Sequence, residues 1–574
     1  MSGAAPGAAQ PVTAGGGPGV LRVGNASGFY GDRFAAWREM LDGGELDVLT
    51  GDYLAELTML ILGRDRLRDP ALGYAKTFLR QVEDCLGTAL DRGVKLVTNA
   101  GGLNPAGLAA AIEALAGRLG LAARIGYVEG DALDRPDALT ANAYLGAFGI
   151  AACLEAGADV VVTGRVTDAS LAVGPAIARF GWGRGDLDAL AGATVAGHLI
   201  ECGAQVTGGN FSFFTELPDG GRRPGFPIAE IHPDGSSVLT KHPGTGGAVT
   251  VETVTAQLLY EVGGPDYLGP DVVARLDTVE LNADGPDRVR VSGVRGTPPP
   301  DTLKVGVNNL GGFRNSMTFV LCGLDIPAKA ALVRGQLEEA VGTEGLEFTL
   351  ARTDHPDAAD TEAASALLHV HLRDGDKARA GRAFSAAAVE LALASYPGCT
   401  LTTLPGDATP YGVFTADTVS QDEVEQVAVL PSGERMTIPP PPVRCLAGPP
   451  VQQNPLSEGP ASHPTRRGAL GELVGARSGD KGGDANLGVW ARTDETWAWL
   501  RGWLTVERLA ELLPETAPLT VERYELPNLR AVNFVVRGLL GQGVAASTRF
   551  DPQAKALGEL LRSRVVDLPA EVST

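Results

Sequence analysis

Cysteine is scarce and scattered in this chain. Its six residues (Cys85, Cys153, Cys202, Cys322, Cys399 and Cys445) form no C-x-x-C pair. That excludes a disulfide framework and a thiolate zinc site, and suits a reducing compartment. Positive charge is in deficit, with 48 Lys and Arg against 69 Asp and Glu and a net charge of −21. Nucleic acid and anionic membranes are therefore poor partners for it. No apolar run reaches spanning length, and residues 1–19, rich in Gly, Ala and Pro, have neither the basic nor the apolar region of a signal peptide. The expectation is a cytoplasmic protein, without membrane or nucleic-acid partners, acting on a small molecule as a homo-oligomer. The common catalytic signatures are missing as well: there is no G-x-x-x-x-G-K-[ST], no G-x-S-x-G and no H-E-x-x-H.

What the chain does have is small residues and buried-strand patterns. A hydrophobic fraction of 44% with 20% charged residues is that of a globular protein, and 574 residues exceed one core. Short β-branched runs alternate with helical patterns: Val20 to Val23, Leu46 to Leu49, Lys95 to Thr98, Ile125 to Val128 and Ala158 to Val162. Such alternation predicts a parallel α/β sheet with ligand chemistry at the strands' carboxyl ends. The expected fold class is α/β: a large N-terminal parallel-sheet α/β domain over 20–270, with an α+β segment over 271–437 packed on it. A proline-rich linker (438–467) and a small C-terminal α+β sandwich domain (468–574) follow, and the tail 1–19 is expected to be disordered.

The stretch from Gly157 to Asn210 is the one the others are organised around. After its strand come Thr163, Arg165, Thr167, Asp168 and Ser170; then His198, Glu201 and Cys202 at helical spacing; then the turn Thr207-Gly208-Gly209-Asn210. Arg165 and Asp168 read as a carboxylate clamp and a base, or as an internal ion pair. His198 with Glu201 reads as an oriented general base, or as a core histidine. Cys202 reads more readily as a small hydrophobe than as a nucleophile.

Other strand ends carry further candidates. Asp52 and Glu56 are one helical turn apart, and a shared helix face would make them an acid/base pair or carboxylate ligands. Asn99 and Asn104 are neutral donors for an oxyanion, or turn formers. The turns around Asn25, Ser27 and Gly28 and around Thr245 and Gly246 lead into helices and offer anion seats, and Gly101 and Gly102, in the loop between Asn99 and Asn104, are further substrate-binding candidates. Glu230, His232, Lys241 and His242 crowd a turn-rich span. His369 and His371 alternate as on a strand, but two ligands make no metal site. Ser478, Asp480 and Lys481 lie in a glycine-rich stretch read as a loop able to nest an anion.

Six stretches carry a resemblance: GNASGFYGDR (24–33), GDYLAE (51–56), NAGGLNP (99–105), TGRVTDASL (163–171), GHLIECGAQVTGGN (197–210) and ARSGDKGGDANLGVW (476–490). In order and length they resemble the acyclic terpene utilisation (AtuA-like) family, with its small C-terminal module fused. The resemblance implies catabolism of citronellol- or geraniol-type compounds through branched acyl-CoA thioesters. It carries over no catalytic residue.

The expected function is a lyase or hydratase moving a proton beside the carbonyl of a branched or carboxylated acyl thioester. No cofactor is required by any motif, and coenzyme A enters as part of the substrate. Asn99 and Asn104 would stabilise an enolate, Arg165 would hold a carboxylate, and His198 or Asp168 would move the proton. Gly28 and Gly246 would seat phosphates. Two alternatives accompany this. One is a metal-assisted hydrolase using Asp52, Glu56, Asp168 and Glu230 with a divalent metal. The other is a non-catalytic ligand-binding or assembly subunit.

Overall fold

A computed structural model describes residues 19–445 and 465–570. Most of the expected tail and of the expected proline linker lies outside the described residues. The chain divides into two compact units. The first comprises residues up to Val307, together with 414–544 and 551–574; the second comprises 308–413 and 545–550. The stretch 271–437 is thus not one segment: its two ends belong to the first unit and its middle is the second.

An eleven-stranded sheet runs through the first unit. Its centre is parallel, in the order Leu21–Asn25, Val48–Gly51, Lys95–Thr98, Val160–Thr163, Ile125–Glu129. The parallel character stops there. Pro227–Ile231, Ser237–Lys241, Val289–Ser292 and Glu280–Ala283 extend one edge antiparallel. Gln426–Val429 and Arg435–Ile438 extend the other, also antiparallel. Val160–Thr163 is buried along its whole length, as a β-branched run covered on both faces should be.

Helices cover the two faces and give the sheet two apolar cores. Leu187–Glu201 is among the most enclosed, with every residue from Leu190 to Glu201 buried. Its Gly192 and Gly197 admit neighbouring backbone where a Cβ would stand 2.2 Å from the Gly235 carbonyl oxygen and 2.6 Å from that of Ala169. A helix buried all round has no polar face, so its polar residues must face other protein or a cavity.

The C-terminal region of the first unit has its own core. Its antiparallel sheet runs Val474–Lys481, Asp484–Ala491, Ala531–Val536, Val521–Leu526, and the helices Asp494–Trp503, Val506–Leu512 and Leu557–Arg562 contribute residues to the same core. This corrects the reading of Ser478, Asp480 and Lys481 as a loop, since they lie in a strand whose backbone is engaged with Asp484–Ala491. The alternation was hidden because glycine, serine and charged residues fill a strand buried from Val474 to Asp480.

This domain docks on the large sheet domain. Ser212 Oγ donates to the Ala476 carbonyl at 2.7 Å and accepts from the Ala476 N–H at 3.0 Å. The Glu261 N–H donates to Asn486 Oδ1 at 2.8 Å, and Trp490 joins the sheet domain's core.

The second unit is an antiparallel sheet, including Ser365–Asp374 and Leu346–Ala351, with the helices Ile326–Val341 and Phe384–Glu390 around a separate core. His369 and His371 lie on its strand Ser365–Asp374, with His369 Nδ1 bonded to Thr318 Oγ1 at 3.0 Å.

Candidate functional site

The carboxyl ends of the parallel strands open toward a cavity of about 430 Å³ in the first unit. Its wall includes Glu56, Arg165, Asp168, His198, Glu201 and Glu261, with Tyr144, Tyr267 and Lys304 beside them. The docked C-terminal domain closes it with Asp480, Lys481 and Gln553.

His198 and Glu201 are placed by the last turn of the helix Leu187–Glu201, with His198 Nδ1 3.0 Å from Glu201 Oε1. The end of that helix is gripped from the first strand. Asn25 Nδ2 donates to the carbonyls of Ile200 at 2.6 Å and Glu201 at 3.0 Å, satisfying acceptors that a helix end leaves open. Gly28 allows the approach, because a Cβ there would stand 2.7 Å from the Cys202 carbonyl carbon.

Burial pushes the His198 imidazole down to about 4, against the opposing pull of Glu261 and a carbonyl from Leu258, so it is neutral at neutral pH. Burial, with the Asp168 and Glu261 carboxylates nearby, lifts Glu201 well above the carboxylate range. A protonated Glu201 donates to Nδ1, which leaves a proton on Nε2, the nitrogen with no hydrogen-bond partner of normal geometry. Glu201 Oε2 also lacks one among the described residues.

Arg165 follows the strand Val160–Thr163. Its N–H donates to Asp131 at 2.9 Å, its guanidinium donates to Asp168 at 2.5 Å, and it stacks on Tyr144 at 4.0 Å from the ring centre. Among the described residues its Nε has no hydrogen-bond partner. Lys304 lies against the same ring at 4.6 Å, with Glu56 at 4.0 Å. Burial opposes its charge, yet Tyr144 and Glu56 outweigh that and hold the ammonium above its ordinary value. From the other domain, Asp480 is lifted to about 8 by burial and by the Glu261 and Glu56 carboxylates. Its Oδ1 is buried and, among the described residues, without a hydrogen-bond partner. Lys481 donates to the Glu261 carbonyl at 3.0 Å.

The remaining sequence candidates fall into two groups. Asp52 and Asn99 sit directly behind the cavity wall. Asn99 Nδ2 donates to Asp52 at 2.5 Å, and Asn99 Oδ1 accepts from the Tyr53 N–H at 2.8 Å. Burial and then Asp168 lift Asp52 well above its usual range. Asp52 and Glu56 do not share a helix face: the helix Glu56–Arg68 starts only at Glu56, and Asp52 precedes it in the loop.

The second group is held by its own bonds and does not line the cavity. Asn104 caps the helix Pro105–Leu119, accepting from the Gly107 N–H at 2.9 Å and donating to the Ala71 carbonyl at 2.9 Å. Ser27 Oγ donates to the Phe29 carbonyl and Thr163 Oγ1 to the Gly164 carbonyl. Gly101 is needed where a Cβ would meet the Thr163 carbonyl at 2.5 Å, and Gly102, Gly208 and Asn210 take positive φ. At Gly209 a Cβ would stand 2.9 Å from the Ala204 carbonyl oxygen. Glu230 pairs with Arg288 at 2.6 Å. Lys241 pairs with Asp287 at 3.0 Å, and Thr245 donates to His242. Ser478 accepts from the Gly558 N–H at 2.9 Å.

Both expected phosphate seats are closed as well. The Gly28 N–H donates to the Asp32 carboxylate at 2.9 Å. Gly246 lies in a turn before the helix Val251–Leu258, which carries its own Thr250–Thr253 capping box. Cys202 is half-buried with its thiol pushed up, first by desolvation and then by Glu201, consistent with packing rather than nucleophilic chemistry. Among the described residues no group of three or more His, Cys, Asp or Glu side chains is arranged to hold a metal ion. Asp52, Glu56, Asp168 and Glu230 form no such set.

Tyr144, Glu261, Asp266, Tyr267 and Lys304 line the cavity without having been singled out from the sequence. The acids and tyrosines of Tyr260-Glu261-Val262-Gly263-Gly264-Pro265-Asp266-Tyr267 were the available signal, and so was a lone lysine in the apolar alternation around Lys304.

The acyclic terpene utilisation family protein AtuA matches over residues 21–430, and the AtuA ferredoxin-like domain over 469–567. No curated protein matches the chain. The cavity draws its wall from both matched regions. No helix among the described residues is long and apolar enough to cross a membrane. The chain belongs to the acyclic terpene utilisation family, with the ferredoxin-like domain following the main region in the same polypeptide.

Proposed function

We propose that the chain is an enzyme of lyase or hydratase type, acting on a branched, carboxylated acyl compound such as a coenzyme A thioester. The family's link to terpene utilisation supports the substrate class. One observation carries the reading: among the described residues His198, Glu201, Arg165 and Asp480, all buried, each have at one cavity a polar atom without a hydrogen-bond partner of normal geometry. Buried polar atoms are rarely left so, and a substrate is what would satisfy them.

The roles divide by charge. Arg165 and Lys304, both cationic and both against Tyr144, bind the substrate carboxylate. Protonated Asp480 donates to the carbonyl oxygen, a use for a carboxylic acid kept neutral by its site. The His198–Glu201 pair moves the proton at the adjacent carbon. Nε2 first releases its proton to water as Glu201 passes its own to Nδ1; Nε2 then takes the carbon's proton while Nδ1 returns one to Glu201, and the return step reverses both transfers. The closed turns at Gly28 and Gly246 give the nucleotide end of a coenzyme no seat, so the cavity supports the acyl portion of the assignment.

The test is deuterium wash-in from D2O beside the thioester carbonyl of 3-methylglutaryl-CoA and other branched acyl thioesters. Exchange by the native chain, lost in His198→Gln, is expected. No exchange on any branched acyl thioester or free acid would contradict the reading.

A further inference from the structure

We propose that Lys481 is a covalent catalytic residue of this cavity, an amine that forms an imine with the ketone carbon of a 3-oxo acid or 3-oxoacyl thioester. The inference rests on the cavity being the lyase site and names the carbonyl on which it works.

The two lysines of the cavity are built differently. Lys304 has a carboxylate, Glu56, and the face of Tyr144 to stabilise its charge. Lys481 ends the strand Val474–Lys481 at a tight turn in which Gly482 takes φ 66°. Its one hydrogen bond is to a main-chain carbonyl, that of Glu261 at 3.0 Å, and among the described residues it makes no ion pair. A neutral amine keeps such a bond, whereas an ammonium there is drawn by the Glu261 and Glu56 carboxylates without pairing to either and is opposed by Lys304 and Arg537. Desolvation within the cavity, then Lys304, hold Lys481 down to about 8 against the opposing pull of Glu261 and Glu56. Lowering a lysine by desolvation and a second cation is how an amine is made nucleophilic near neutral pH. Lys481 nevertheless remains open to the cavity space.

The other side chains complete the sequence of steps. The Lys481 nitrogen attacks the ketone carbon, and the carbonyl oxygen takes a proton from a carboxylic acid of the wall, where Glu201, Glu261 and Asp480 are all raised by burial. A second proton transfer releases that oxygen as water and leaves a protonated imine. The bond one carbon away then breaks, its electron pair moving into the imine to give an enamine. A carboxylate leaving as carbon dioxide, or an aldehyde leaving by retro-aldol cleavage, both fit this balance. Protonation of the enamine carbon by the His198–Glu201 pair and addition of one water return the ketone and the free amine. No oxidant or reductant is consumed. Arg165 and Lys304 hold the second carboxylate throughout.

The experiment incubates the full chain with acetoacetate and cyanoborohydride, then maps the reduced adduct by peptide mass spectrometry. A single adduct on Lys481 of the native chain is expected, forming faster as pH rises toward 8 and absent from Lys481→Arg of unchanged melting temperature. Mapping the native chain needs no variant, so a poorly folded variant does not blunt the test. Labelling spread evenly over surface lysines, or retained in Lys481→Arg, would overturn the proposal. Thioester exchange in D2O without any Lys481 adduct would overturn the imine and leave the acid–base reading standing. Neither exchange nor adduct would overturn both.

Discussion

The turn at Asn104 and the cavity at His198 both gather polar residues near the carboxyl edge of the large sheet, yet their polar atoms end differently. Asn104 spends its side chain on a helix cap and two loop carbonyls. Gly28 gives its N–H to Asp32, and Thr250 closes its helix with a capping box. At the cavity, His198 Nε2, Glu201 Oε2, Arg165 Nε and Asp480 Oδ1 lack hydrogen-bond partners of normal geometry among the described residues. The difference teaches that polar residues at a strand's carboxyl end become a site only where their own backbone has not already consumed them. A satisfied turn contributes to stability, and an unsatisfied buried wall costs stability that a ligand can return.

Substitutions should separate the two regions. The largest effect is expected at the relay. His198→Gln should lower turnover by about 10²–10⁴-fold, the usual contribution of a positioned acid or base, with the fold intact by circular dichroism. Arg165→Lys should lower kcat/KM by about 10²-fold, since a point charge replaces a planar group stacked on Tyr144; steady-state kinetics on the exchange substrate would show it. Gly28→Ala forces a methyl against the Cys202 backbone and should cost about 1–3 kcal/mol, read by denaturant unfolding. Asn104→Ala should cost about 1 kcal/mol as a lost cap and leave kcat unchanged.

The pH dependence sharpens the contrast further. The Asp480 carboxyl is raised in the folded chain to about 8 from an ordinary 3.8. A raised group favours the folded state below its unfolded value, and that contribution is lost as pH rises through the folded one. The native chain should therefore lose stability relative to Asp480→Asn between about pH 4 and 8. Parallel melting curves across that range would contradict the burial of a protonated Asp480.

Much of the centre was legible in the sequence. The five parallel strands and the helix carrying His198 and Glu201 follow from β-branched runs and helical spacing, while the residue types alone left Arg165 and Asp168 open between a clamp with a base and an internal ion pair. Three things were not legible. The antiparallel flanks of the sheet come from short strands far apart in the chain, such as Gln426–Val429 against Ile125–Glu129, and no local period announces them. The strand Val474–Lys481 read as a loop because its glycine and serine positions are buried by docking, a tertiary effect. Tyr144, Glu261 and Lys304 join the cavity from unrelated stretches, so only the fold shows that they meet. The anion seats failed for a local reason, since the side chain that closes each turn lies within a few residues of it.

The most direct test is a thermal-shift titration with 3-methylglutaryl-CoA on three chains: native, Asn104→Ala and Arg165→Lys. A ligand that binds only the folded state raises its melting temperature. The account predicts equal upward shifts for the native chain and for Asn104→Ala from its lower baseline, and no shift for Arg165→Lys. A full shift in Arg165→Lys, or its loss in Asn104→Ala, would contradict the assignment of the cavity over the turns.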